Sequence, residues 1–158
     1  GNTKHAYHLV DSEEKRAELL QLLMEASSIC FDTETTGLSE KKDMVVQMAA
    51  VRVIKGRIVA GETFETFVNP GRKIPPASTR IHRVTDADIA EAPNFEDTAR
   101  RFHMFANESV LVAHNAPFDL AFLRRDEKKM DIAWDHPVID TVLLSAMVFW
   151  DCMIPVVC

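Results

Sequence analysis

Asp32 and Glu34 stand two residues apart in the segment SSICFDTETTGL. On a β-strand that spacing sends both carboxylates out of the same face. Two anions held so close repel one another unless a cation sits between them. The apolar run Ile29, Cys30 and Phe31 before the acids, and Thr35, Thr36 and Gly37 after them, predict a buried strand that ends in a loop and leaves the acids facing a cleft. A third carboxylate, Asp119, falls in the first turn of a helix predicted within HNAPFDLAFLRR, where exposed N–H groups favour an anion. Packing that brings Asp119 beside Asp32 and Glu34 would assemble a hard-oxygen set suited to Mg²⁺ or Mn²⁺ and poorly suited to zinc. Such a set fits two-metal phosphodiester chemistry.

The elements that must position these acids follow from periodicity. Residues 11–26 place Ala17, Leu20, Leu23 and Met24 at helical spacing, with acids early in the run. Two β-rich runs, Met44 to Ile54 and Arg57 to Val68, are joined by Lys55-Gly56 and read as a hairpin. The segment NPGRKIPPASTRIHRVTDADIAEAP is Pro-bearing and loop-like, with a short helix expected from about Asp86 behind Thr85 as N-cap. A longer helix is expected from about Asn94 to Ala106, then a strand at Val110 to Ala113 and a helix whose first turn takes Pro117. A short strand near Val138 and an apolar helix from about Thr141 close the chain. A three-strand meander followed by alternating helices and strands predicts an α/β architecture, a mixed sheet flanked by helices.

The 158 residues match one domain, with 47% hydrophobic and 27% charged residues and only 5 Gly and 7 Pro. That composition excludes disordered and collagen-like classes. The formal net charge of −6 argues against a protein that coats nucleic acid by bulk charge, but not against an enzyme whose acids gather metal ions. Three cysteines, Cys30, Cys152 and Cys158, have neither an even count nor CxxC spacing, so no disulfide framework or structural zinc site is signalled. No apolar run reaches the roughly 18 residues of a membrane-spanning helix, and GNTKHAYHLV lacks the core of a secretory signal, so the cytoplasm is the expected location.

FDTETTGL and VAHNAPFDLAFL, in this order, resemble the first two motifs of the DEDD exonuclease superfamily, and within it the 3′–5′ exonucleases of the DNA polymerase III epsilon, or DnaQ-like, type. The intervening ETFETFVNPGRKIPPASTRIHRVTDADIAEAP is similar to that family as well, so the likeness runs from about Ser28 to Val148. The resemblance implies an RNase H-like fold and hydrolysis of phosphodiesters at nucleic-acid 3′ ends with release of nucleoside monophosphates. It implies two divalent cations, Mg²⁺ or Mn²⁺, held by Asp32, Glu34 and Asp119. By position it also implies substrate contacts from Thr35, Thr36 and Leu38, through backbone N–H groups and an apolar edge, and from His114 and Asn115. Its partners would be a single-stranded DNA or RNA 3′ end and a polymerase.

The family's third motif, HxxxxD with a fourth carboxylate and a general-base His, is not found. His136 and Asp140 have one residue too few between them, and the position five before Asp151 is Ala146. The chain is therefore expected to be a single exonuclease domain over 1–158, incomplete at its C-terminal side relative to the family. The alternative is a catalytically silent, nuclease-derived nucleic-acid-binding or interaction module. The apolar segment Met153 to Cys158 makes a homodimer worth testing. Gly71 to Arg83 carries Arg72, Lys73, Arg80, His82 and Arg83 without an acid, which reads equally as a phosphate-holding loop or a solvated surface. Arg124-Arg125 and Lys128-Lys129 read as a solvated helix end, and Phe102 and Phe105 as core.

Overall fold

A computed structural model describes residues 12–143. The expected C-terminal apolar helix begins at Thr141, and its continuation lies outside the described residues, as do Asp151 and the segment Met153 to Cys158.

Helix α1 (Glu13–Glu25) is capped by Ser12, whose Oγ accepts from the Lys15 N–H at 3.2 Å. The expected apolar face is not realised at two of its positions, because Ala17 is exposed and Met24 is 53% exposed. The chain then enters β1 (Ser27–Thr35), β2 (Val45–Ile54) and β3 (Arg57–Phe67), an antiparallel meander. Lys55 and Gly56 both have positive φ, 51° and 71°, which is the requirement of the tight hairpin turn.

The segment expected to be a loop contains helix α2 (Pro76–His82). The correction has a physical cause: Pro76 begins a helix well, since its fixed φ is pre-organised and its missing N–H would be unpaired there in any case. Helix α3 (Asp86–Ile89) starts at Thr85, with a reciprocal capping box to Asp88. Helix α4 (Phe95–Ala106) follows its Asn94 cap and leads through β4 (Val110–Ala113) to α5 (Ala116–Arg125), α6 (Glu127–Met130) and β5 (Val138–Asp140).

The strands form one mixed sheet in the order β3-β2-β1-β4-β5, with β4 parallel to β1 and β5 parallel to β4. Ile29 and Phe31 of β1 share a single core with Phe64 of β3, Ala99 and Phe102 of α4, Leu111 of β4, and Leu120 and Phe122 of α5. Both long crossover helices thus cover the face reached by the odd-numbered residues of β1. The even-numbered residues face the other way, and Cys30 and Glu34 are half-buried there while Asp32 is exposed. Arg52 locks the start of β1 to the end of α4 through Ser27 Oγ at 2.9 Å, Ser109 Oγ at 3.0 Å and the Phe105 carbonyl at 2.6 Å, with Glu62 as its ion-pair partner.

Phe102 is the hub of the covered face, fully buried, with ring centroids 5.3 Å from Phe31, 5.5 Å from Phe64 and 5.6 Å from Trp134. Phe102→Ala leaves a cavity that none of these rigid neighbours can fill and is expected to lower stability by about 3–5 kcal/mol. Urea unfolding checks this, and an unchanged midpoint would contradict the assigned core.

Candidate active site

The site is set by the different lengths of two neighbouring strands. β4 pairs with β1 only from Ser28 to Cys30, whereas β1 continues to Thr35. Beyond Cys30 that edge of β1 has no strand beside it. The Thr33 N–H is met there by a side chain instead: it donates to Asp119 Oδ1 at 3.1 Å, and the Thr33 hydroxyl donates to the same oxygen at 2.5 Å. A carboxylate from the first turn of α5 therefore stands in for the backbone carbonyl of a longer β4. Thr33 is a polar residue on the buried face, so it must find a partner, and Asp119 is that partner.

This contact brings the Asp119 carboxylate within electrostatic reach of Asp32. Asp119 is 3% exposed. Its carboxyl is pushed up from 3.8 to about 6, chiefly by burial, with the Asp32 charge adding to the rise and the two Thr33 bonds opposing it. The Glu34 carboxyl is raised too, first by burial and then by Asp32, while the nearby His82 pulls it down. Asp32 thus acts on both of the other acids. It also borders an open groove of about 420 Å³ shared with Ala49, Thr63 and Glu65.

The donor chemistry fits a hard divalent cation, which would relieve the mutual penalty of these carboxylates. Among the described residues, no group of three or more His, Cys, Asp or Glu side chains is already drawn together tightly enough to hold a metal ion.

The loop that follows β1 is held from both sides. Thr36 is 2% exposed and its N–H donates to the Met44 carbonyl at 2.8 Å. Its hydroxyl donates to Asp43 at 2.9 Å and accepts from the Met44 N–H and from Arg72. With these groups committed internally, Thr36 braces the loop. Thr35 is nearly as buried and donates its hydroxyl to the Gly37 carbonyl. Leu38, by contrast, is 86% exposed. A Cβ on Gly37 would meet Asp43 Oδ2 at 2.5 Å and Oδ1 at 2.8 Å, so a larger residue would have to displace that carboxylate from its bonds to Ser39 and Thr36. From the other side, Arg125 donates to the carbonyls of Glu40 at 3.0 Å and Asp43 at 2.7 Å, and Arg124 to that of Trp134. These two arginines are not a solvated helix end. A long guanidinium can span from a helix end to carbonyls that a loop leaves unpaired.

His114 and Asn115 form the exposed turn between β4 and α5. His114 Nδ1 lies 3.0 Å from the Thr141 hydroxyl. Asn115 adopts a left-handed conformation, φ 59°, and its side chain makes no capping bond. Its N–H donates to Asp140 Oδ1 at 2.9 Å, and the same oxygen accepts from the Val142 N–H at 3.0 Å. His136 precedes β5 and reaches back to the Asn107 carbonyl, whereas Asp140 ends that strand, so the two lie at opposite ends of the sheet and form no catalytic pair. Sequence reasoning missed Thr33, Ser78 and Asp43 as members of the site. The period of two could have singled out Thr33, a polar residue assigned to the buried face.

A carboxyl whose folded-state pKa lies above its unfolded value opposes folding once ionised. The Asp119 penalty is absent below about pH 4 and fully present above about pH 6, worth up to about 3 kcal/mol. Stability should therefore fall as pH rises through this window. Asp119→Asn keeps an acceptor for Thr33, and it is expected to raise the urea midpoint at pH 7.5 and flatten the dependence between pH 4 and 7. Equal pH slopes for parent and variant would show that Asp119 is not the titrating group.

The chain matches the RNase_T family, described as Exonuclease, over residues 29–153. It is 60% identical over 122 residues to a DNA polymerase III subunit epsilon-like protein of Rhodobacter capsulatus, a match that covers 77% of this chain and 17% of that protein. It is 38% identical over 128 residues to a PolC-type DNA polymerase III of Caldanaerobacter subterraneus subsp. tengcongensis, covering 81% of this chain and 9% of that protein. The chain thus spans less than a fifth of the length of these curated relatives. Among solved structures, Escherichia coli Exonuclease I in complex with a 5cy-dA13 oligonucleotide superposes with a TM-score of 0.68 at 20% identity, covering 84% of this chain and 31% of that one. The fold is that of the RNase H-like exonucleases, with antiparallel first strands and a parallel continuation, and the chain belongs to the exonuclease family of the DNA polymerase III epsilon, or DnaQ-like, type.

Proposed function

We propose that this chain is a metal-dependent 3′–5′ exonuclease domain that removes nucleoside monophosphates from single-stranded 3′ ends. The observation that carries the proposal is the bond pair between Thr33 and Asp119, which joins residues 86 apart in sequence and ties a third carboxylate to the residue between Asp32 and Glu34. Asp32, Glu34 and Asp119 would hold two Mg²⁺ or Mn²⁺ ions. Bound there, the ions would supply charge neutralisation at the scissile phosphate and Lewis-acid activation of water. The protein's own part is to position. Thr33 fixes the Asp119 carboxylate, and the loop bonds of Thr36, Asp43 and Arg125 fix the exit of β1.

Leu38, at 86% exposed, offers an apolar edge to a terminal base, and the unspent side-chain amide of Asn115 offers a donor to the terminal nucleotide. Lys73, Arg80 and Arg83 are exposed on the segment after β3 and suit phosphates without reading sequence. Arg72 does not belong with them, because it is spent on Thr36 and on the Lys42 carbonyl. The names of the relatives support a DNA polymerase partner, and a role in DNA replication in the cytoplasm is part of the same proposal. Among the described residues no helix is long and apolar enough to cross a membrane.

The test is nucleotide release from 5′-labelled single-stranded DNA and RNA. With Mn²⁺ the label is expected to shorten stepwise, with EDTA to stay intact, and with Asp32→Ala to shorten at least about 100-fold more slowly. An intact label in the presence of Mn²⁺ and folded parent chain would overturn catalysis and leave a silent binding module. Such a module would retain oligonucleotide affinity in Asp32→Ala, because removing an acid does not weaken an electrostatic contact.

A further inference from the structure

The bulge that ends the pairing of β1 and β2 lies between Glu34 and Thr35: Glu34 pairs with Gln47, Thr35 with Val45, and Val46 is the extra residue. Bulges re-aim side chains and bend the strand, and they leave local backbone groups in need of other partners. Here α2 supplies those partners. The Ser78 hydroxyl donates to the Thr36 carbonyl at 2.6 Å, and His82 Nε2 lies 3.2 Å from the Thr35 carbonyl. Ser78 and His82 are four residues apart and so share one face of the helix. The helix is seated where the bulge is, because Val46 packs with Ile74, Val84 and Ile89 in a second buried cluster.

The tautomer of His82 is fixed by its other nitrogen. Nδ1 accepts the Val84 N–H at 3.1 Å, so in the neutral ring the proton is on Nε2, which donates it to the Thr35 carbonyl. Nε2 is already protonated, and Nδ1 can take a proton only by losing the Val84 bond. Although His82 is near Glu34, this ring cannot serve as the missing general base without breaking its own anchorage. Left-handed Arg83, φ 68°, turns the chain so that Val84 can make that bond.

Resting on the exonuclease proposal above, we infer that His82 is a positioning residue: with Ser78 it locks the carbonyls of Thr35 and Thr36, immediately beyond Glu34, and so holds that carboxylate in the geometry the cation requires. The side chain touches neither the reacting atoms nor the cation. Its contribution is made through one donated hydrogen bond, which a glutamine amide can reproduce and a leucine cannot.

The experiment uses the 158-residue chain and reads two quantities, Mn²⁺ affinity by calorimetry and kcat with KM on single-stranded DNA. His82→Leu is expected to weaken Mn²⁺ binding roughly 10-fold and to lower kcat by about 10-fold or more with KM held within about twofold. His82→Gln is expected to stay within about threefold of the parent in both, with an unaltered pH–rate profile. Ser78→Ala, a smaller change in packing, should shift both readouts in the same direction as His82→Leu. Parent-like values in both His82→Leu and Ser78→Ala would overturn the inference. A His82→Gln as impaired as His82→Leu would overturn it as well, by making the imidazole itself the required group. A parent that binds Mn²⁺ but releases no nucleotide would defeat the exonuclease proposal while the affinity arm still judges His82. A parent with no affinity for Mn²⁺ would defeat both.

Discussion

Everything at the site depends on one carboxylate occupying the place of a missing strand. β4 stops pairing at Cys30, and the exposed edge of β1 would be left with an unanswered N–H at Thr33 in the interior. An unpartnered buried donor costs about 1–3 kcal/mol, comparable to a sizeable share of a domain's net stability. Asp119 answers that donor, but it is buried to do so, and its raised pKa records the cost. In the proposed site, the same desolvation that penalises the ionised acid would be relieved by a bound cation.

The other acids are arranged by a different rule. Asp32 and Glu34 need only the strand's alternation to share a face, and the helices α4 and α5 leave that face open by packing together on the opposite one. What alternation cannot supply is a fixed exit from the strand. That comes from loop carbonyls caught by Arg125 of α5 on one side and by Ser78 and His82 of α2 on the other, with Asp43 pressed close over Gly37. The acids are thus set on regular structure and bordered by irregular backbone whose polar groups are held by side chains.

Much of the frame was legible in the sequence, and the failures share a cause. The Lys55-Gly56 turn, the Thr85 cap and the Asn94 start are local signals, written in the residues that make them, and each is present. The three acids were legible as types and spacing, because a strand's period and a helix's first turn are local as well. Helix α2 was hidden because its two prolines suggest a loop although the second is well suited to a first helical turn. The exposure of Ala17 and Met24 and the bonding of Arg124 and Arg125 depend on what lies opposite in the fold, which no window of sequence contains. Thr36 and Thr33 show the same limit at the site. Adjacent to the acids in sequence, they are brace and anchor through partners found seven and 86 residues away.

One oxygen joins two backbone N–H groups, those of Asn115 and Val142, that the chain separates widely. Asp140 Oδ1 accepts from Asn115 at the start of α5 and from Val142 in the first helical turn after β5. The same carboxylate thus ties the backbone at Val142 to the residue that begins the helix carrying Asp119, so the end of β5 and the start of α5 share one anchor.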